Sequence, residues 1–434
     1  MTKKANLLPA LLGGDAAVTH AAPAWPVTTD EDVARMTDVV RSGTWSWLGP
    51  QERAFCEEYK QFIGSHYCAC LANGTVTLQC ALQAVGVVPG DEVIVPGMTW
   101  VATAQAAMDI GATVVFADID SETLCLDPVA FAAAITPRTK AVMPVHLYGC
   151  MCDMDRILEI ARAHGIKVVE DVAHQHGSEW RGVKAGAIGD VGSFSFQQSK
   201  ILTSGEGGAV TCNDPKIYQT IFALKQVGWT PENPAAEPCD KLVPGNRYGH
   251  NYRLTEMQAV LLRGGLSRLA VQNARREAFA ARLAAGLEQL GGPLRAAKRD
   301  PRVTKQAYYA MTLHFDPAQA GGLKREDYLQ ALNRENIGFG GLYWPVYQSP
   351  LLNLYDTTSP IPFRDPARVQ DYRTLTLPAT ERAFRETGVT LPNHFLLGTD
   401  AYADQILAAV AKVNAHLPQI RATLDAQQAK DGNA

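Results

Sequence analysis

Two apolar rhythms alternate along the first half of the chain. Between Asp30 and about Thr211, short apolar runs near Val93, Val114, Val142, Val168 and Phe194 read as strands, and the stretches between them carry helical spacing. Leu78, Ala81, Leu82 and Val85 recur on one helix face after Thr75, and Met154 to His164 repeats that pattern ahead of Val168 and Val169. This alternation predicts an α/β fold with a mostly parallel sheet covered by helices on both faces. From Pro231 to Pro244 the chain is rich in Pro, Glu, Asp and Ala, which predicts a loop. Thr255 then opens a long helix through Leu290, carried by Met257, Val260, Leu261, Leu266, Leu269 and Val271 and stopped by Gly291-Gly292-Pro293. A strand at Ala307 to Phe315, a helix at Arg325 to Arg334, and Gly338 to Tyr343 leading into Trp344-Pro345 complete the pattern. It divides into an N-terminal arm (1–25), a large domain (26–265), and a long helix with a smaller α+β C-terminal domain (266–434). The polar end of the stretch Pro418 to Ala434 predicts fraying.

One lysine is delivered by this pattern rather than scattered over it. In Gly192-Ser-Phe-Ser-Phe-Gln-Gln-Ser-Lys200-Ile-Leu-Thr-Ser-Gly-Glu-Gly-Gly208, the alternating Phe194 and Phe196 lead Lys200 into a turn. Gly205, Gly207 and Gly208 allow that turn backbone conformations closed to other residues. An amine in a desolvated cleft loses part of its proton affinity and becomes a nucleophile towards carbonyls, that of pyridoxal phosphate among them. A solvated lysine beside a hairpin is the alternative reading, and three other segments bear on the choice.

The strand at Val168 ends in Glu170-Asp171-Val-Ala-His174, and ligands collect at the carboxyl ends of strands in open α/β sheets. An Asp there can hold a pyridine nitrogen protonated, or simply cap the next helix. Asn73-Gly74-Thr75 begins a helix whose free N–H groups, hydroxyls and dipole suit a phosphate, although ordinary capping explains the same residues. Trp100 follows the strand Glu92 to Val95; its ring can stack on a planar cofactor, or belong to core or interface.

Taken in order, Asn73-Gly-Thr75, Glu170-Asp171-Val-Ala-His174, Ser193-Phe-Ser-Phe, Lys200, Gly205-Glu-Gly-Gly208 and Gly249-His-Asn251-Tyr-Arg-Leu-Thr-Glu-Met-Gln258 resemble the DegT/StrS family of fold-type I pyridoxal phosphate aminotransferases. The resemblance implies a Schiff-base lysine at Lys200, Asp171 at the pyridinium nitrogen and Trp100 stacked on the ring. It implies phosphate contacts from Gly74, Thr75 and Ser195, with Asn251 reaching the phosphate from the neighbouring subunit of a homodimer with shared active sites. His174 occupies the position near the phenolic oxygen. Gln197-Gln198-Ser199 stands where nucleotide-sugar members carry His-Pro; with Leu11-Leu12-Gly13-Gly14, it is similar to the branch of cyclitol (scyllo-inosose) aminotransferases and aminohydroxybenzoate synthases. The activity implied is transfer of an amino group from glutamine or glutamate to a cyclitol or sugar ketone, in the making of an aminocyclitol or amino sugar. A nucleotide-ketosugar aminotransferase and an aminohydroxybenzoate-synthase-like dehydratase are the alternatives. Trp45, His146 at the end of the strand Val142 to Val145, and Tyr343, with Trp344 and His394, are candidates for the substrate pocket, although packing is the favoured reading of Trp45 and the Tyr343-Trp344 pair.

Composition narrows the partners. At 434 residues, a prior of about 150 per domain suggests two or three units, and a 47% hydrophobic content supports a buried interior. A net charge of -4, with no dense Lys/Arg run, argues against nucleic acid as a partner. Lys3 and Lys4 precede an apolar run, Leu7 to Leu12, that is too short for a membrane anchor and lacks a signal-cleavage segment. Nine cysteines, an odd number, point to reduced thiols in the cytoplasm. Cys68-Ala-Cys70 and Cys150-Met-Cys152 are imaginable metal ligands, but no metal is expected, because zinc sites usually show wider paired spacings with His partners; small buried hydrophobes is the expected role.

Overall fold

The computed structural model describes residues 8–47, 49–234, 241–352 and 371–431. Lys3, Lys4 and Leu7, at the start of the expected arm, lie outside them.

A seven-stranded sheet organises the first part of the chain. Its strands are β1 (Tyr67–Leu71), β2 (Glu92–Pro96), β3 (Thr113–Ala117), β4 (Thr139–Val142), β5 (Lys167–Asp171), and, after a short β6 (Glu179–Trp180) and β7 (Val183–Lys184), β8 (Val191–Ser195) and β9 (Gly208–Cys212). Their order is β1-β9-β8-β5-β4-β2-β3. The pairings from β8 through β5, β4 and β2 to β3 are parallel, and β9 runs antiparallel to both β8 and β1.

The period of two in the strands separates the two faces. Ile94, Val168 and Phe194 point into one core with α2 (Pro50–Ile63), α6 (Met154–His164) and α8 (Glu256–Leu290), whereas Val93, Val95, Val169 and Val191 point into the other with α3 (Gly74–Ala84), α4 (Ala102–Asp109) and α7 (Pro215–Lys225). Each crossover is punctuated as its local chemistry requires. Asp153 caps α6 by accepting from the Arg156 N–H, and Gly165, in the left-handed conformation (φ 67°), ends it just before β5. Thr255 and Gln258 form a reciprocal capping box at the start of α8.

Helix α8 is continuous from Glu256 to Leu290, so the division expected at residue 265 falls inside it. Its C-terminal half packs a third core against β12 (Leu294–Ala296), β14 (Ala310–Phe315) and β15 (Gly388–Pro392), which form one small antiparallel sheet, while β13 (Val303–Lys305) pairs with β6. The arm docks on this unit: Val18 is buried in its core, and the Glu335 carboxylate accepts the Ala10 and Ala17 N–H groups at 2.7 Å each. Trp25 ties the arm to the lysine turn by donating its indole N–H to the Gln198 carbonyl at 3.2 Å.

Three expected boundaries shift, each for a local reason. The strand expected to reach Val145 ends at Val142, because Pro144 has no N–H for the ladder; Val145 makes only an isolated bridge to Asp171. The stretch expected as a loop from Pro231 contains a small hairpin, β10 (Trp229–Pro231) with β11 (Leu242–Pro244), whose prolines sit at strand ends. The strand expected from Ala307 begins at Ala310, since the Tyr309 N–H is given to the Tyr148 carbonyl instead. The tail from Pro418 forms the helix Leu417–Asp431, with Pro418 in the first turn and Ile420 and Leu424 buried; residues 432–434, at the polar end expected to fray, lie outside the described residues. Among the described residues, no helix is long and apolar enough to cross a membrane.

Candidate active site

A cleft of about 440 Å³ opens where β5 and β8 end and α3 begins. It lies at the carboxyl ends of parallel strands, where backbone groups have no further ladder partners and side chains converge from separate crossovers. Lys200, Asp171, Gly74, Thr75, Trp100, His174, Ser195 and Tyr343 all line it.

The chain between β8 and β9 folds back on itself to present Lys200. Phe196 donates to the Gly207 carbonyl, and Gln198 to that of Gly205, at 2.8 Å each; Gly205 (φ 83°) and Gly207 (φ 148°) supply the conformations this requires. The Lys200 side chain is buried, with Nζ 4.5 Å from the centre of the Tyr309 ring. Burial pushes its ammonium below the ordinary lysine range, against the opposing pull of Tyr309 and Asp171.

Asp171, the last residue of β5, is buried, and burial raises its carboxyl above the ordinary value even though hydrogen bonds and Lys200 favour the charged form. Its Oδ2 accepts from the Thr103 hydroxyl at 2.9 Å and its Oδ1 from the Ala173 N–H at 3.2 Å, so both oxygens are held in place. The strand carrying it is held in register at the same point, where the Asp171 N–H donates to the Pro144 carbonyl and its own carbonyl accepts from His146.

His174 packs flat on Tyr309, with ring centres 3.9 Å apart and planes 13° from parallel. Its Nδ1 accepts the Tyr148 N–H at 3.1 Å, and burial holds its pKa well below the ordinary value. The ring is therefore neutral, with its proton on Nε2. Asn73 caps α3 by accepting the Val76 N–H at 3.0 Å. At Gly74 a Cβ would stand 2.7 Å from the Ser195 Cβ, so glycine is what lets the end of β8 approach the start of the helix.

Trp100, half-exposed, and Tyr343 meet at a ring separation of 5.5 Å, and the Tyr343 N–H donates to the Tyr148 hydroxyl at 2.7 Å. Five other expected residues do not line this cleft. His146 is fully buried between Glu170, 3.1 Å from its Nε2, and the Cys152 N–H at its Nδ1. Trp45 donates its indole N–H to the Val40 carbonyl on the surface. Asn251, exposed in its own chain, bridges to Gln226. His394 lies beside Phe395, and Trp344 beside Phe384. Sequence reasoning missed Thr103 and Tyr309. Thr103 had a legible signal, a hydroxyl in the first turn of the helix after Trp100; Tyr309, brought from the C-terminal unit, had none.

The chain is 38% identical to the L-glutamine:2-deoxy-scyllo-inosose aminotransferase of Streptomyces fradiae over 421 residues, 94% of this chain and 97% of that protein. Among solved structures it resembles 3-amino-5-hydroxybenzoic acid synthase (TM-score 0.78, 31% identity, 91% of this chain and 99% of that one). It also resembles an aminotransferase from Psychrobacter cryohalolentis (TM-score 0.80, 30% identity, 92% and 100%). Residues 26–403 match the family profile itself, and the chain accordingly belongs to the DegT/DnrJ/EryC1/StrS aminotransferase family.

Proposed function

We propose that this aminotransferase uses pyridoxal 5'-phosphate to move an amino group from glutamine to a ketone of the scyllo-inosose type, in the biosynthesis of an aminocyclitol. The observation that carries the reading is the convergence of a buried, proton-poor amine (Lys200) and a buried, doubly hydrogen-bonded carboxylate (Asp171) on one cleft. The residues present fit the cofactor. The start of α3, the hydroxyls of Thr75 and Ser195, and the narrow space at Gly74 suit a phosphate, Asp171 suits a pyridinium nitrogen, and Trp100 at the mouth suits the ring face. When bound, the cofactor supplies an electron sink for the carbon that loses its proton.

The chain's own residues supply the rest. Lys200, whose proton affinity is lowered by burial, takes and returns the proton at the substrate carbon. Thr103 and the Ala173 N–H keep Asp171 aimed, and the His174 Nε2–H is a donor fixed by the Tyr148 N–H at the opposite nitrogen. Among the described residues that line the cleft, Lys200 is the only lysine or arginine, and the wall is rich in hydroxyls, with Thr99, Ser199 and Tyr309 beside the Gln197 amide. Such a wall suits a neutral polyol better than a nucleotide diphosphate, which supports the cyclitol over the nucleotide sugar.

The same reading includes a homodimer with shared sites in the cytoplasm. Asn251 is exposed, with its backbone held by Gln226 and its side-chain oxygen accepting the Arg253 N–H at 3.5 Å, and Tyr248 three residues earlier is 84% exposed. The test of the reaction is to load the purified protein with cofactor and offer glutamine, glutamate and alanine separately. Glutamine should convert the cofactor absorbance to that of pyridoxamine phosphate, and an inosose should then reverse it. Conversion by other donors alone, or reversal by nucleotide ketosugars but not inososes, overturns the assignment. Likeness to 3-amino-5-hydroxybenzoic acid synthase favours one second reading, dehydration, which product analysis of the same incubation separates.

A further inference from the structure

Behind the cleft, three cysteines that the proposed reaction does not use come together. Cys68 and Cys70 are two residues apart on β1, so both side chains leave the same face of the strand, and Cys56 reaches them from α2. All three sulfurs lie within 4.8 Å of one another, with Cys56 and Cys70 at 3.4 Å. With metal–sulfur bonds of about 2.3 Å, the sulfurs of a trigonal or tetrahedral thiolate set stand roughly 3.8 to 4.0 Å apart, so only small side-chain rotations separate this group from a ligand set. Cys68 and Cys70 are buried, and the Cys56 residue is partly covered.

The buried Lys225 ammonium donates to the Cys70 carbonyl at 2.8 Å and pairs with Glu52, bringing a cation to the edge of the cluster. Neither a histidine nor a carboxylate belongs to the group, which leaves a purely soft donor set.

The geometry points to Cys56, Cys68 and Cys70 as a binding site for one soft d10 metal ion of the zinc, cadmium and copper(I) class, separate from the cleft. A divalent ion binding there displaces three thiol protons to solvent and forms three metal–sulfur bonds, leaving one net negative charge beside Lys225. Strand β1 runs from this cluster directly towards Asn73 and Gly74, and the Lys225 carbonyl accepts the N–H of Tyr252, next to Asn251. An ion at this point therefore clamps the root of two segments that reach towards the cofactor pocket and the expected neighbour.

The experiment is a titration of the cofactor-loaded protein with cadmium(II) alone, followed by thiolate-to-metal charge-transfer absorbance in the ultraviolet and X-ray absorption at the cadmium edge. One equivalent per chain with three sulfur neighbours is expected in the wild type. Cys56→Ser, at the partly exposed position, should lower the sulfur count to two and weaken binding at least about 10-fold, since even an outer-sphere partner is worth that much. Cys152→Ser, which removes a thiol of the other cysteine-rich segment, should change neither. Fewer than three sulfurs in the wild type, no saturation at one equivalent, or binding lost in Cys152→Ser but kept in Cys56→Ser overturns the proposal. The wild-type sulfur count stands even if a variant folds poorly.

Discussion

Lys200 and Asp171 are each moved towards neutrality by burial, and each movement has a measurable consequence. The unfolded chain binds a proton at Lys200 up to about pH 10.5, whereas the folded chain releases it earlier. Stability of the cofactor-free protein therefore gains a positive slope with pH between the lowered folded value and 10.5; this contribution is complete above 10.5 and is lost as pH falls through the folded value. Denaturant unfolding across that window should show the slope in the wild type and its loss in Lys200→Met. Identical slopes would mean the amine is solvated. For Asp171→Ala, kcat should drop by roughly 10²–10³, in the range of other lost electrostatic contacts, with a smaller change in cofactor affinity. Steady-state kinetics beside a cofactor titration measures both, and near-normal turnover sinks the role proposed for this carboxylate. Both residues were legible from short stretches of sequence, because a strand end and a glycine turn announce themselves locally. The stack of His174 on Tyr309 was not, because the two rings stand 135 positions apart in the chain and only packing brings them together.

At the scale of elements, the site depends on how closely α3, β8 and α8 approach. A methyl group at position 74 meets Ser195 at 2.7 Å, so Gly74→Ala should cost about 1–3 kcal/mol of stability by overpacking and weaken retention of the cofactor. Thermal unfolding with and without added cofactor distinguishes the two effects, and an unchanged cofactor-induced shift would separate Gly74 from the phosphate. The capping box of α8 reaches the same region, because the Gln258 side chain also donates to the Glu206 carbonyl at 2.7 Å, in the lysine turn. Thr255→Ala should therefore destabilise the protein by about 1 kcal/mol, and Thr255→Ser should restore most of it. Periodicity alone located α6 and nearly all of α8, since their caps and apolar stripes lie within the helices themselves. Strand limits at Pro144 and Tyr309 escaped it, because apolar period does not register an N–H that is missing or is claimed by another segment.

For the whole molecule, the proposed sharing of sites between two copies has a direct test. Lys200→Ala removes a residue of one wall and Asn251→Ala a residue expected to act across the interface. Mixing the two inactive homodimers under exchange conditions should restore activity through hybrids that carry one intact site; no recovery, with exchange verified by mass, would refute the shared arrangement. Exposed aromatic side chains at Trp47, Trp229 and Tyr248 are surfaces such a neighbour would cover. The amino-acid sequence by itself determined the α/β architecture, the lysine turn, the acidic strand end and the family, because each is written in residues close together along the chain or in their order. Only the tertiary structure decided that Tyr309 and Tyr148 flank His174, that His146 serves Glu170 instead of the cleft, and that Cys56 joins Cys68 and Cys70. Those contacts join segments far apart in the chain, and no local propensity encodes which side chains of a packed interior will touch.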